Sequence, residues 1–175
     1  ADFKQWTAPF VMAAINTRVV RRSNALMDYK YGSEFRYSES MLMGNGPGGY
    51  IKASLVAGMS GLLMLLTAFM PTRSLLAPLM PSPGEGPSEE AIAKGYFNVE
   101  FCGIASGEST KKLKVTVTGD RDPGYGATSK MLAESAVCLA KDSLSVAGGI
   151  WTPSTAMGDL LLDRLEKNAG MQFTV

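Results

Sequence analysis

The chain has 175 residues, 46% of them hydrophobic and 19% charged, with a formal net charge of +1. That balance suits a globular chain with a sizeable core, and it gives no electrostatic case for nucleic acid, since no basic run interleaves with aromatics. There is no histidine, so a His-based catalytic triad and a zinc site are set aside.

In chain order, Thr7 is placed to cap a first helix running to about Asn24, with Pro9 tolerated in its opening turn. Phe10, Val11, Ala14 and Ile15 supply its apolar positions, and Arg18, Arg21 and Arg22 recur near its end. From Phe35 to Met43, Phe35, Tyr37 and Met41 alternate with Arg36, Ser38 and Ser40, which predicts a strand. Gly44 to Gly49 reads as a turn. An apolar helix follows from about Tyr50 to Met70, ended by Pro71. Between Ala53 and Met70 only Ser54, Ser60 and Thr67 are polar, a run of 18 residues at the lower limit for a membrane span. Within it Ala53, Ala57 and Gly61 form a strip of small side chains that invites the close approach of a partner helix.

Residues 71–87 hold five of the nine prolines and read as a connector, with a short turn at Ser74 to Leu79. Ser88 caps a short helix whose first turn carries Glu89 and Glu90. Tyr96–Ile104 and Lys112–Gly119 alternate as the arms of a hairpin, joined by a flexible loop at Ser106 to Lys111. Helices are predicted over Ala127–Asp142 and Pro153–Asn168, with Gly170 as a stop, and a closing strand takes in Met171, Phe173 and Val175. Cys102 falls on a strand and Cys138 on a helix. Neither has a CxxC partner, so both read as buried free thiols, compatible with a reducing, cytoplasmic compartment. The order of elements predicts one α+β domain over 1–175: a mixed, largely antiparallel sheet covered by helices, with residues 44–95 as an apolar helical insertion and connector.

Four segments carry a resemblance. They are Ala8-Pro-Phe-Val-Met-Ala-Ala-Ile-Asn-Thr-Arg-Val-Val-Arg-Arg-Ser-Asn, Pro83-Gly-Glu-Gly-Pro-Ser-Glu-Glu, the glycine-rich turn from Gly119 to Lys130, and Gly148-Gly-Ile-Trp-Thr-Pro. In that order they resemble the C-terminal part of saccharopine-dehydrogenase-like oxidoreductases, the group that includes the trans-acting enoyl reductases. The resemblance implies hydride transfer from NAD or NADP, held by an N-terminal nucleotide-binding domain of the same protein. No G-x-G-x-x-G follows a strand here, and Asn45-Gly-Pro-Gly-Gly-Tyr does not fit that fingerprint. The chain, which opens without an initiator Met or a signal peptide, is therefore read as an excised substrate-side domain, with no cofactor expected in it and its catalytic residues unassigned.

Two groups are candidates for the substrate or interdomain cleft. In Gly119–Lys130 the glycines free the backbone, and Tyr125, Thr128, Ser129 and Lys130 converge at a helix start able to accept an anion. A capped turn that merely fixes the helix explains the same residues. Arg18, Arg21 and Arg22, with Asn16 beside them, suit bidentate capture of a carboxylate or phosphate. Ordinary cations favoured by the dipole of a helix C-terminus are the plainer alternative. Tyr29, Tyr31, Tyr37 and Tyr125 read as packing tyrosines before proton donors, and Trp151 as packing at a helix start. Met41, Met43, Met59, Met64, Met70 and Met80 read as core filler or, second, as an acyl-chain groove.

The apolar helix admits three settings: burial within the chain or against a partner subunit, contact with a membrane, and a true span. Leu55, Met59, Leu62, Leu63, Leu66 and Phe69 would face a partner subunit, an acyl ligand or the membrane interface, with Lys52 and Arg73 at the ends. A span is awkward if the strands on either side of it must pair. A non-catalytic lipid-associated scaffold is the competing function, and a homo-oligomer is compatible with either.

Overall fold

Ala8 precedes a proline, which biases it away from helical backbone and toward an extended one. Thr7–Pro9 accordingly forms a short strand, β1, where the sequence predicts the opening of a helix. It pairs antiparallel with β2, Ser40–Leu42, in the register Thr7 to Leu42 and Pro9 to Ser40. The first helix, α1, spans Ala13–Leu26. The computed structural model describes residues 3–79, 81, 82, 84–105 and 111–175. Its contacts divide the chain into two compact units, Ala1–Gly86 and Pro87–Val175.

In the first unit the buried Asn24 holds the turn after α1. Its Nδ2 donates to the Gly32 carbonyl at 3.0 Å and its Oδ1 accepts from the Tyr31 amide at 2.9 Å. That turn is tight enough to put Asp28 and Tyr29 at φ 51° and 57°. The strand predicted over Phe35–Met43 shrinks to Ser40–Leu42 because β1 offers only three residues to pair with. Phe35 instead joins an aromatic cluster, its ring 5.2 Å from Tyr31 and 6.5 Å from Tyr37.

Helix α2 spans Gly46–Ala68, so residues read as a turn already form its first turn, with Pro47 where a missing amide costs nothing. Its opening end packs on β1, with Ala53 buried and the Trp6 and Tyr50 rings edge to face at 4.9 Å. Phe69 then takes extended backbone, φ −100° and ψ 131°, and ends the helix. Pro71 is not the expected stop; it opens a further helix, α3, Met70–Leu76, followed by a 3-10 turn at Ala77–Leu79. Met80 and Pro83 lie outside the described residues.

The second unit begins with α4, Glu89–Lys94, capped as predicted by Ser88, whose Oγ accepts from the Ala91 amide at 3.2 Å. The hairpin forms as predicted: β3, Phe97–Ile104, pairs with β4, Lys112–Gly119, in the register Phe97–Gly119 to Ile104–Lys112. Most of its expected loop, residues 106–110, lies outside the described residues. Helix α5 spans Gly126–Lys141. The helix predicted over Pro153–Asn168 is two, α6, Pro153–Ala156, and α7, Gly158–Asn168. Gly158 has φ 47°, a left-handed conformation that interrupts the helix and that glycine tolerates best. Strand β5, Met171–Thr174, closes the unit by pairing antiparallel with β4.

Leu161 and Leu165, one turn apart on α7, meet Cys138 of α5, Met157, Ala169 and Met171 in the core of this unit. Phe97, Val117 and Phe173 of the sheet pack against it. The α+β class, the antiparallel pairing and the apolar helix are as expected, and the strands divide into two small sheets, β1–β2 and β3–β4–β5.

Candidate functional site

The turn into α5 is tied together by Asp122. Its Oδ2 accepts from the Tyr125 amide at 2.7 Å, its carbonyl accepts from the Ala127 amide at 2.8 Å, and its own amide donates to the Ile92 carbonyl of α4 at 3.2 Å. The hydroxyls that the sequence marks are engaged locally. Thr128 Oγ1 donates to the Pro123 carbonyl at 2.6 Å and Ser129 Oγ to the Gly126 carbonyl at 2.9 Å. Lys130 Nζ lies 3.1 Å from Asp120 Oδ1 and reaches the Ala169 carbonyl at 3.5 Å. The Tyr125 ring is exposed. Thr128, Ser129 and Lys130 thus build a self-capped turn, and the open face beside it is where a ligand has room.

That face is an open groove of about 330 Å³ between α4 and the start of α5, lined by Glu89, Ile92, Ala93, Arg121, Gly126, Ser129 and Lys130. Nothing in the sequence marks Arg121, because a cation between two aspartates reads as an ordinary solvated face. Its Nη1 donates to the Ala93 carbonyl at 3.2 Å, which fixes the guanidinium at the groove. Lys130, already paired with Asp120, and the acidic Glu89 share the lining, so Arg121 is the cation the groove offers to a carboxylate, a phosphate or a polarised carbonyl oxygen.

A second cluster is equally invisible in the sequence. Arg164 of α7 clasps Asp142 with two hydrogen bonds, Nε to Oδ2 at 2.6 Å and Nη2 to Oδ1 at 2.7 Å, and its Nη1 reaches Glu134 at 3.3 Å. Asn168 Nδ2 donates to the same Glu134 oxygen at 3.1 Å. The bonds from Arg164, with a smaller contribution from the Cys138 thiol, hold the Asp142 carboxyl at about 2. Burial, then the neighbouring Asp142 carboxylate, push the Cys138 thiol up, so it is no nucleophile at neutral pH. The arrangement joins α5 to α7. No sequence spacing signals it, since the partners stand 22 and 30 residues apart.

In the first unit, Arg18, Arg21 and Arg22 all lie exposed on α1. The helix continues to Leu26 and its last turn carries no cation, so the helix dipole, which acts within the last turn, does not account for them. Asn16 Nδ2 donates to Glu39 Oε2 at 2.9 Å and links α1 to the segment that leads into β2. Burial, reinforced by hydrogen bonding and charge from Glu39, pushes the nearby Tyr37 phenol up to about 12. The glycine cluster Asn45–Gly49 does lie between a strand and a helix, β2 and α2. Since β2 pairs antiparallel with β1, that order makes no parallel βαβ unit of the dinucleotide-binding kind.

The apolar surface of α2 is largely uncovered. Leu55, Met59, Leu62, Leu63 and Phe69 are exposed, and Leu66 is half-buried. The small strip does not seat a partner helix along its length: Ala53 is buried and Ala57 half-buried, but a Cβ built on Gly61 meets nothing within 4 Å. The core-filler reading of the methionines fails for Met41, Met59, Met64 and Met70, which are all exposed.

No protein-family model matches the chain, and no solved structure matches it. Curated proteins do. A Mycobacterium tuberculosis protein, named provisionally as a trans-acting enoyl reductase, is 42% identical over 167 residues, covering 91% of this chain and 39% of that protein. The trans-acting enoyl reductases of Mycobacterium ulcerans and Mycobacterium bovis are each 38% identical, again over 91% of this chain and 39% of theirs. The chain is thus similar, through nearly all of its own length, to a stretch of 39% of proteins named trans-acting enoyl reductases.

Proposed function

We propose that this chain is the substrate-side region of an NAD(P)-dependent oxidoreductase, resembling saccharopine-dehydrogenase-like proteins, that reduces the carbon–carbon double bond of a lipidic enoyl thioester. The 42% identity across 91% of the chain to a protein named as an enoyl reductase carries this reading. In such a reaction NADH or NADPH, which a nucleotide-binding domain of the longer parent would hold, would supply the hydride to the β-carbon. Charge then builds on the thioester oxygen, and the α-carbon takes a proton. A fixed cation near that oxygen stabilises the developing charge, which is the work available to Arg121 at the groove. Within the first unit, taken by itself, the exposed Arg18 and Arg21 suit an anionic group. We place the reaction in the cytoplasm, at or near a membrane, where a long acyl chain is delivered.

The parent protein is assayed by NADPH oxidation against enoyl thioesters of increasing chain length and against saccharopine. Oxidation with the thioesters, rising with chain length, is the expected result. Failure on both substrate classes would end the substrate assignment. The second reading, a non-catalytic lipid-associated scaffold, draws on the uncovered surface of α2. It predicts a parent without an intact glycine-rich nucleotide loop and without measurable NADPH binding.

A further inference from the structure

Leu62, Leu63, Met64 and Leu65 are consecutive on α2, and each turns about 100° from the last, so together they point to every side of the helix. All four are more than half exposed, from 54% at Leu63 to 77% at Met64. A second copy of the chain, or a further part of a longer parent, would cover one side of such a helix and leave the others in water. An interfacial helix lying flat on a membrane needs a polar face, and α2 has none beyond Lys52, where Ser60 and Thr67 are the only polar side chains besides Ser54. A surface apolar around its whole circumference is matched by a medium that surrounds it, which is hydrocarbon.

Three further observations agree. Beyond Lys52 the helix runs on for about 24 Å, most of the roughly 30 Å depth of a bilayer's hydrocarbon. No residue between Lys52 and Arg73 is ionisable. Lys52 on α2 and Arg73 on α3 therefore flank the apolar stretch in sequence with positive charge suited to anionic headgroups, and the Trp6–Tyr50 pair sits at the Lys52 end, where aromatics favour the interface. The topological objection also dissolves. Both strands of the first sheet precede α2 and all three strands of the second follow it, so no sheet is divided by placing α2 in lipid. We infer that α2 inserts into the hydrocarbon of an anionic phospholipid bilayer and anchors the protein there.

The test is flotation of the full-length parent with vesicles of equimolar phosphatidylcholine and phosphatidylglycerol, beside its double variant Leu62→Glu, Leu66→Glu. Wild type should float, and the variant, with an unchanged circular dichroism spectrum, should partition at least about a hundredfold more weakly. In parallel, Leu62→Trp should gain fluorescence that lipids brominated deep in their acyl chains quench. The inference is overturned if wild type stays at the bottom of the gradient as a soluble dimer, or if the double variant floats equally well. It is likewise overturned if the double variant unfolds, which would make the segment core, or if the new tryptophan is not quenched. Since no outcome reads enzyme activity, the result bears on the anchor and not on the proposed reaction.

Discussion

Asp142 lies between the Arg164 guanidinium and the Cys138 thiol, and the first of these holds its carboxyl at about 2. A folded-state value below the ordinary 3.8 means that ionisation favours the native state. That contribution is complete above about pH 4 and is lost as pH falls toward 2. Chemical denaturation of the wild type between about pH 5 and pH 2 should therefore show stability falling across this window, and Asp142→Asn should flatten the slope. Tyr37 works in the other direction: its value near 12 stabilises the fold below pH 10 and ceases to do so as pH rises toward 12. Gly170 makes a different demand. It sits at φ 70°, and a Cβ there would come within 2.4 Å of the Asp120 carboxylate, the partner of Lys130. Gly170→Ala should cost about 1–3 kcal/mol in equilibrium unfolding and displace Asp120 from Lys130.

At the scale of elements, α7 shows why some of the fold is legible in sequence and some is not. Leu161 and Leu165 repeat at four residues, so the buried face can be read, and Leu165→Ala should cost about 2–4 kcal/mol by opening a cavity against Cys138 and Met171. The break before α7 cannot, because Gly158 between Met157 and Asp159 carries no sign that it adopts a left-handed backbone. The two arms of the hairpin are legible from their period-two alternation, which fixes the face each residue takes, whereas the register Phe97–Gly119 to Ile104–Lys112 is given by the structure. The start of α1 is ambiguous because Thr-Ala-Pro fits a helix cap as well as an edge strand, and only the pairing of Thr7 with Leu42 decides it. The groove is half legible: the glycine-rich turn marks Ser129 and Lys130, whereas Arg121 and its α4 neighbours meet only through the tertiary fold. For α1, Arg18→Ala with Arg21→Ala should leave stability within about 0.5 kcal/mol, as suits exposed side chains. If these arginines hold a substrate or cofactor anion, the same pair should lower kcat/KM of the parent by about tenfold or more. Unchanged kinetics would confine them to the surface.

For the molecule as a whole, two properties have to be reconciled: similarity to enoyl reductases over a stretch of 39% of their length, and a helix apolar on every side. Under the proposed function, a substrate with a long acyl chain would connect them, because an enzyme anchored as inferred above would meet such a chain where it is soluble. The 175-residue chain should by itself bind neither NAD nor NADP, since its glycine cluster at Asn45–Gly49 opens α2 without a parallel βαβ unit. Calorimetric titration giving micromolar affinity would show that the nucleotide site has been misplaced. The reaction is tested most directly by following the transferred atom. The parent is supplied with nicotinamide cofactor deuterated at the hydride position and with a long-chain enoyl thioester, and the saturated product is analysed by mass spectrometry. Hydride transfer predicts one deuterium per product molecule, located on the β-carbon. A saturated product without deuterium, or no saturated product from a parent that binds the cofactor, would contradict the assignment of this chain to an enoyl-reducing enzyme.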